Sequence, residues 1–180
     1  MAQTPEYNNR MICVDDEKDI VQAYVDFLAP APTSTPKRSS RGGGTTPTAP
    51  TASEYELLRA YSGEEALKLV KTELAAGRRI AGGFFDVKMD GGIDGIQTIQ
   101  EIWKIDPEFH CTIVTAYQDR SVQDINQLFG PRFKDQWDYL NKPFTQGEIL
   151  QKARQMTAAW NRKRSLEDAL AHLKAAQAQL

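Results

Sequence analysis

Five side chains at separated points of the sequence could work together on one charged group: Asp15, Asp16, Asp86, Thr115 and Lys142. Each follows a short apolar run. Met11-Ile12-Cys13-Val14 precedes Asp15-Asp16, the run ending in Phe85 precedes Asp86, residues 111–114 precede Thr115, and residues 137–140 come shortly before Lys142. Brought together, three carboxylates carry a formal charge of −3, which Lys142 reduces to −2. Close carboxylates raise one another's pKa values unless a positive charge lies between them. A divalent hard cation would neutralise the set. Carboxylate and water oxygens suit Mg²⁺, which binds through one or two carboxylates together with a phosphate oxygen. The donor set therefore suits a metal and a phosphoryl group, with one carboxylate as nucleophile and Lys142 offsetting charge on the transferred group. Taken singly, each residue has a simpler role. An Asp after a strand caps a helix, and Asp16 is placed to cap the one that follows. Thr115 suits a turn, and Lys142 before Pro143 a solvated surface. Their coincidence after successive apolar runs favours the joint reading.

Such a set needs a scaffold that delivers strand ends to one rim. After the first run, Ile20, Val21, Tyr24, Val25 and Leu28 have helical spacing. Residues 55–58 predict a weaker second strand, and Ser62 with Glu65 a capping box ahead of Leu67, Val70 and Leu74, stopped by Gly77. Residues 80–85 predict the third strand, and Asp94 caps a helix carrying Ile96, Ile99, Ile102 and Trp103, ended by Asp106-Pro107. Residues 111–114 predict the fourth strand, followed by a helix marked by Val122, Ile125, Leu128 and Phe129 and closed by Gly130-Pro131. Residues 137–140 predict the fifth strand, and a last helix starts near Gln146. Five rounds of strand then helix, with continuous apolar strands, predict an α/β fold: an open, doubly wound parallel sheet covered on both faces. In such sheets ligands bind beyond the carboxyl ends of the strands, where the strand order reverses. The five residues fall there.

Composition narrows the field. A chain of 180 residues, 41% apolar and 26% charged, fits one domain with tails. A net charge of −2 gives no basic field for nucleic acid or an anionic membrane. No apolar run approaches the roughly 18 residues of a membrane span. Met1-Ala2-Gln3-Thr4-Pro5-Glu6-Tyr7 lacks the basic start and apolar stretch of a secretion signal, so a cytoplasmic location is expected. Cys13 and Cys111 lie inside apolar runs and are expected to be free thiols in a reducing compartment. Residues 29–53 are rich in Pro, Ser, Thr and Gly, with nothing larger than Ala to anchor them to a core, and are expected to be a mobile insertion. Within them, Gly42-Gly43-Gly44-Thr45-Thr46 lacks the Gly-Lys-Ser/Thr ending of a phosphate loop.

Val14-Asp15-Asp16-Glu17, Phe85-Asp86-Val87-Lys88-Met89, Val114-Thr115-Ala116 and Tyr139-Leu140-Asn141-Lys142-Pro143-Phe144 together resemble the receiver domain of two-component response regulators. The motifs occur in the family's order, over residues 10–158 less the insertion. The resemblance implies a flavodoxin-like, five-stranded parallel sheet of order 2-1-3-4-5. It also implies that Asp86 is the phosphoacceptor. Asp15, Asp16 and Asp86, with the backbone carbonyl of Lys88, would hold Mg²⁺ or Mn²⁺. Thr115 would bind a phosphoryl oxygen, Tyr139 would be an aromatic switch, and Lys142 would pair with the phosphoryl group ahead of a cis Lys142-Pro143 bond. The implied partner is a sensor histidine kinase or a histidine phosphotransfer protein. The chain would then be a signalling phosphoacceptor, not an enzyme acting on other substrates. One departure stands out. The loop after Asp86 reads Met89-Asp90-Gly91-Gly92-Ile93-Asp94-Gly95 where Met-Pro-Gly-x-Asp-Gly is usual, with Asp for Pro and one extra residue. Residues 130–136 also lengthen the connection before the fifth strand.

The expected organisation is a tail at 1–9, a receiver domain at 10–158 and a helix at 159–180. Met156, Ala159, Leu166, Leu170, Leu173 and Leu180 fall on an a/d-type seam, interrupted by Lys163 and Gln177. Such a helix either packs on its own domain or acts as a coiled-coil signalling rod that joins a homodimer and leads to an output domain beyond Leu180. Arg162-Lys163-Arg164 reads as a solvated face, not a nucleic-acid patch. Three rival functions have distinct signatures. A phosphatase of the haloacid-dehalogenase type resembles Asp-x-Asp, but Lys88 stands at the second position. A pseudo-receiver that only binds would lack acidic or switch residues. A flavin-binding protein would carry a Ser/Thr-rich phosphate loop after the first strand.

Overall fold

A computed structural model describes residues 6–29, 55–116 and 119–180. The insertion expected at 29–53 lies outside the described residues, Ala29 apart. Along the chain come β1 (Arg10–Val14), α1 (Lys18–Leu28), β2 (Glu56–Ala60), α2 (Gly63–Ala75), β3 (Gly82–Asp86) and α3 (Gly95–Ile105). They are followed by β4 (His110–Thr115), α4 (Val122–Phe129), a 3-10 turn (Pro131–Phe133), β5 (Trp137–Asn141) and α5 (Gln146–Ala178). All strand pairs are parallel and the order is β2-β1-β3-β4-β5, the order the resemblance implies. Strand bounds differ from the sequence reading by one or two residues; β2 starts at Glu56 and runs to Ala60, and β3 starts at Gly82.

Alternate strand residues serve opposite faces. Ile12, Val14, Phe85 and Ile113 enter a core with α2, α3 and α4, while Met11, Cys13, Phe84 and Val114 enter one with α1 and α5. Burial on both sides is why these strands read as continuous apolar runs. β3 lies between β1 and β4, so it separates Cys13 from Cys111, and both are buried free thiols. Burial raises the pKa of each, Cys111 well above the usual thiol value.

Local signals set the helix starts. Asp94 and Gln97 form a capping box on α3, as do Ser121 and Asp124 on α4 and Thr145 and Glu148 on α5. On α2 the box is displaced: Ser62 Oγ accepts the Glu65 N–H at 3.1 Å, but the Glu65 carboxylate reaches back to the Tyr61 N–H at 3.0 Å. Gly77 and Gly130, with φ of 73° and 75°, end their helices in the left-handed region that glycine adopts without strain. The lengthened connection before β5 is filled by aromatic packing, with Phe133 stacked on Trp103 at a centroid distance of 4.1 Å. In α4 only Ile125 and Phe129 are buried; Val122 and Leu128, expected on its apolar face, are exposed, because an eight-residue helix turns only part of its circumference to the sheet.

α5 is one unbroken helix. Its Ile149, Ala153 and Met156 pack with Met11, Tyr24 and Phe84. Met156 is therefore a core residue and not part of an intermolecular seam, a correction to the heptad reading. Trp160 is also buried, with the Arg79 guanidinium 5.4 Å over its ring. Asn161 closes the attachment: its amide accepts the Asn8 N–H and donates to the Asn8 carbonyl, both at 2.9 Å. Past Asn161 no residue is buried, and Leu166, Leu170 and Leu173 face outward. Among the described residues no helix is long and apolar enough to cross a membrane.

Candidate functional site

The carboxyl ends of β1, β3 and β4 and the residue after β5 meet at one rim. β1 ends at Val14, which delivers Asp15 and Asp16; Asp86 is the last residue of β3, and Thr115 the last of β4. The Lys142 N–H donates to the Thr115 carbonyl at 2.8 Å, continuing the β4–β5 ladder by one residue, and the Lys142-Pro143 bond is cis. This places the Lys142 ammonium over the acidic ends. Its Nζ lies 2.8 Å from Asp15 Oδ2 and 3.4 Å from Asp86 Oδ1.

The setting is apolar and charged at once. Asp15 is fully buried and Asp86 is 5% exposed, behind the buried Phe84 and Phe85. Burial, then the Asp15 charge, pushes the Asp86 carboxyl up to about 6, against the pull of Lys142. Burial likewise raises the pKa of Asp15, while Lys142 and the Glu17 N–H, which donates to Asp15 Oδ1 at 2.9 Å, hold it down. Burial works to lower the pKa of Lys142, but Asp15 and Asp86 outweigh it and the net movement is upward. The lysine is a permanent cation between two carboxylates that burial and mutual repulsion urge to take up protons.

Asp16 does not cap α1. The N-cap position belongs to Glu17, which makes no side-chain cap, and Asp16 Oδ2 instead accepts the Asp90 N–H at 3.2 Å. A proline at position 90 would offer no N–H. The departure from the usual loop sequence thus supplies a tie between the loop and the acidic pair. Glu64 adds a second tie, accepting the Ile93 N–H at 3.0 Å. Within the loop Gly91 adopts a φ of 85°.

Carboxylate oxygens of Asp15, Asp16 and Glu17 lie within 4.8 Å of one another. This donor set fits a hard divalent cation, and the raised pKa of Asp86, set first by burial and then by the Asp15 charge, marks a cost of ionisation that such an ion would ease. Glu17 was not singled out as a donor in the sequence, although it stands in the acidic run beside Asp15 and Asp16. Thr115 is buried at the rim, but its hydroxyl turns to the Ala116 carbonyl at 2.9 Å, with Asp119 Oδ2 at 3.4 Å. Asp119 had no signal in the sequence. Tyr139 sits on β5 facing outward, 36% exposed. The Lys88 side chain is exposed beside the loop.

No family model and no curated protein matches the chain. Solved structures do. A CheY-like response regulator receiver domain protein from Methanospirillum hungatei JF-1 superposes with a TM-score of 0.62 at 17% identity, over 87% of this chain and 98% of that one. The receiver domain of a putative Luxo repressor protein from Vibrio parahaemolyticus gives 0.63 at 15% identity, over 89% and 98%. The CheX-CheY-BeF3-Mg complex from Borrelia burgdorferi gives 0.56 at 17% identity, over 81% and 86%. The chain has the fold of response regulator receiver domains, extended by a long C-terminal helix.

Proposed function

We propose that the chain is a receiver switch in two-component signalling, which accepts a phosphoryl group on Asp86 from a phosphohistidine of a sensor kinase or phosphotransfer protein. The observation that carries this reading is the Lys142 ammonium shared between Asp15 and Asp86 at the ends of parallel strands. An Asp86 carboxylate oxygen attacks phosphorus; the phosphorus–nitrogen bond breaks as the phosphorus–oxygen bond forms, and the imidazole, protonated at its other nitrogen, leaves as a neutral base. Lys142 offsets charge on the transferred oxygens, and the Thr115 hydroxyl swings from the Ala116 carbonyl to one of them. Asp15, Asp16, Asp86 and the Lys88 carbonyl would hold Mg²⁺, with Glu17 as a neighbouring acid. When bound, the ion supplies charge neutralisation at the phosphoryl oxygens. Asp15 orients Lys142, and Phe84 and Phe85 keep the base of the site dry.

Withdrawal of Thr115 towards the phosphoryl group frees space that an inward-turning Tyr139 would fill, altering the surface of α4, β5 and α5. A ligand shifts a two-state protein only through contacts that differ between its states, and these are the contacts that differ. The exposed leucines of α5 would join two copies into a weak homodimer, whose packing the altered surface biases. The test is mass measurement after treatment with acetyl phosphate. One phosphoryl group is expected with Mg²⁺, none with chelator or in Asp86→Asn, and loss on treatment with hydroxylamine. Undiminished labelling of Asp86→Asn would overturn the assignment.

A further inference from the structure

One carboxylate at the rim has no part in that reading. Asp119 lies four residues past Thr115; its Oδ2 accepts the Ala116 N–H at 3.2 Å and faces Thr115 Oγ1 at 3.4 Å. The Asp119 N–H donates in turn to the Ala116 carbonyl at 3.1 Å. An oxyanion thus already sits against a hydroxyl and the N–H beside it, at the end of the strand next to Asp86.

A phosphoryl group on Asp86 is also an oxyanion, with three oxygens to satisfy and more negative charge than a carboxylate. The donors that β4 offers at its end are the Thr115 hydroxyl and the N–H one peptide further on. Both anions therefore compete for the Ala116 N–H and for the space against the Thr115 hydroxyl, and they repel each other. The room for one to leave is present. A cleft of about 280 Å³ lined by Val87, Lys88, Met89, Asp94, Asp119 and Arg120 opens beside Asp119 and carries two cations. Arg120 approaches Asp94 there at 4.0 Å.

We propose that Asp119 is an internal competitor for the phosphoryl group: its carboxylate holds the Ala116 N–H and stands against the Thr115 hydroxyl in the unphosphorylated chain, and turns towards Lys88 and Arg120 across the cleft it borders when Asp86 is modified. The proposal rests on the receiver reading and deepens it. Asp119 is a positioning residue that biases the switch towards its resting state. The phosphoryl group must bind against it.

The experiment titrates the full chain with beryllofluoride at saturating Mg²⁺, reading bound fluoride by fluorine NMR. It compares the parent with Asp119→Ala, Asp119→Asn and Asp86→Ala. In Asp119→Ala the half-saturating concentration falls by about 3- to 10-fold, the equivalent of one hydrogen bond of ordinary net strength. Asp119→Asn gains less, because its amide oxygen still accepts the Ala116 N–H. A residue that merely shaped the turn would weaken binding when removed, so unchanged or weakened binding in Asp119→Ala overturns the proposal. A parent that binds no more probe than Asp86→Ala overturns the receiver reading and the competitor with it. The parent titration alone separates the two failures.

Discussion

The charge balance at the rim is held by one ammonium. Lys142 touches both Asp15 and Asp86, yet burial and the neighbouring carboxylate still push Asp86 up to about 6. A carboxyl whose folded pKa is raised adds stability that is complete below its unfolded value of 3.8 and is lost as pH rises through the folded one. In metal-free buffer at pH 7.5, Asp86→Asn should therefore be more stable than the parent, by up to about 3 kcal/mol. The difference should shrink towards zero near pH 4. Urea denaturation in EDTA across that range checks this, and equal stability of the two proteins at pH 7.5 would contradict it. Added Mg²⁺ should restore the parent far more than the variant, since the variant has lost the repulsion that the ion relieves. The identity of the rim residues was legible because four strands deposit them at the same edge, Asp15 and Asp16 from β1 and one each from β3, β4 and β5. Asp119 was not, because its place depends on a carboxylate reaching back to the N–H three residues before it.

At the level of elements, the site depends on how closely the start of α3 approaches the end of β3. The Gly95 N–H donates to the Val87 carbonyl at 3.0 Å, and a Cβ on Gly95 would stand 1.9 Å from the Asp86 carbonyl oxygen. Gly95→Ala should cost about 1–3 kcal/mol or more and should lower acetyl phosphate labelling, because the Asp86 peptide or the helix must move aside. Unchanged urea midpoint and labelling would show that the approach tolerates a methyl group. The order of strands and helices was plain in the sequence, since doubly covered strands leave uninterrupted apolar runs and Ser62 and Asp94 announce their helices, whereas the caps at Ser121 and Thr145 emerged only in the structure. The role of Asp16 was less plain. Capping and loop anchoring ask for the same side chain, and the choice was made by the free N–H of Asp90, some seventy residues away in sequence.

For the whole molecule, α5 joins a buried half to an exposed one. Arg79 holds Asp106 at 2.5 Å and Glu108 at 2.9 Å while lying over Trp160, so the helix leaves the domain from a fixed footing. Beyond Asn161, Leu166, Leu170 and Leu173 repeat at spacings of four and three, the pattern of a paired helix. Met156 continues that spacing and yet belongs to the core; over two turns a core-facing stripe and a coiled-coil seam have the same period, so sequence does not separate them. So short a seam gives weak association. Sedimentation should show a concentration-dependent dimer that beryllofluoride with Mg²⁺ tightens and Leu170→Lys abolishes. A strict monomer under all conditions would leave a docking surface controlled by phosphate and no dimer.

We propose that the phosphoryl group goes to Asp86 and nowhere else. Borohydride reduces an aspartyl phosphate to the alcohol, homoserine, which marks the modified residue after proteolysis. The chain treated with acetyl phosphate and Mg²⁺, reduced and digested, should carry homoserine at position 86 alone, and none when Mg²⁺ is chelated. Homoserine at Asp15, Asp16 or Asp119, or an unmarked Asp86 in protein that has gained a phosphoryl group, would contradict the account.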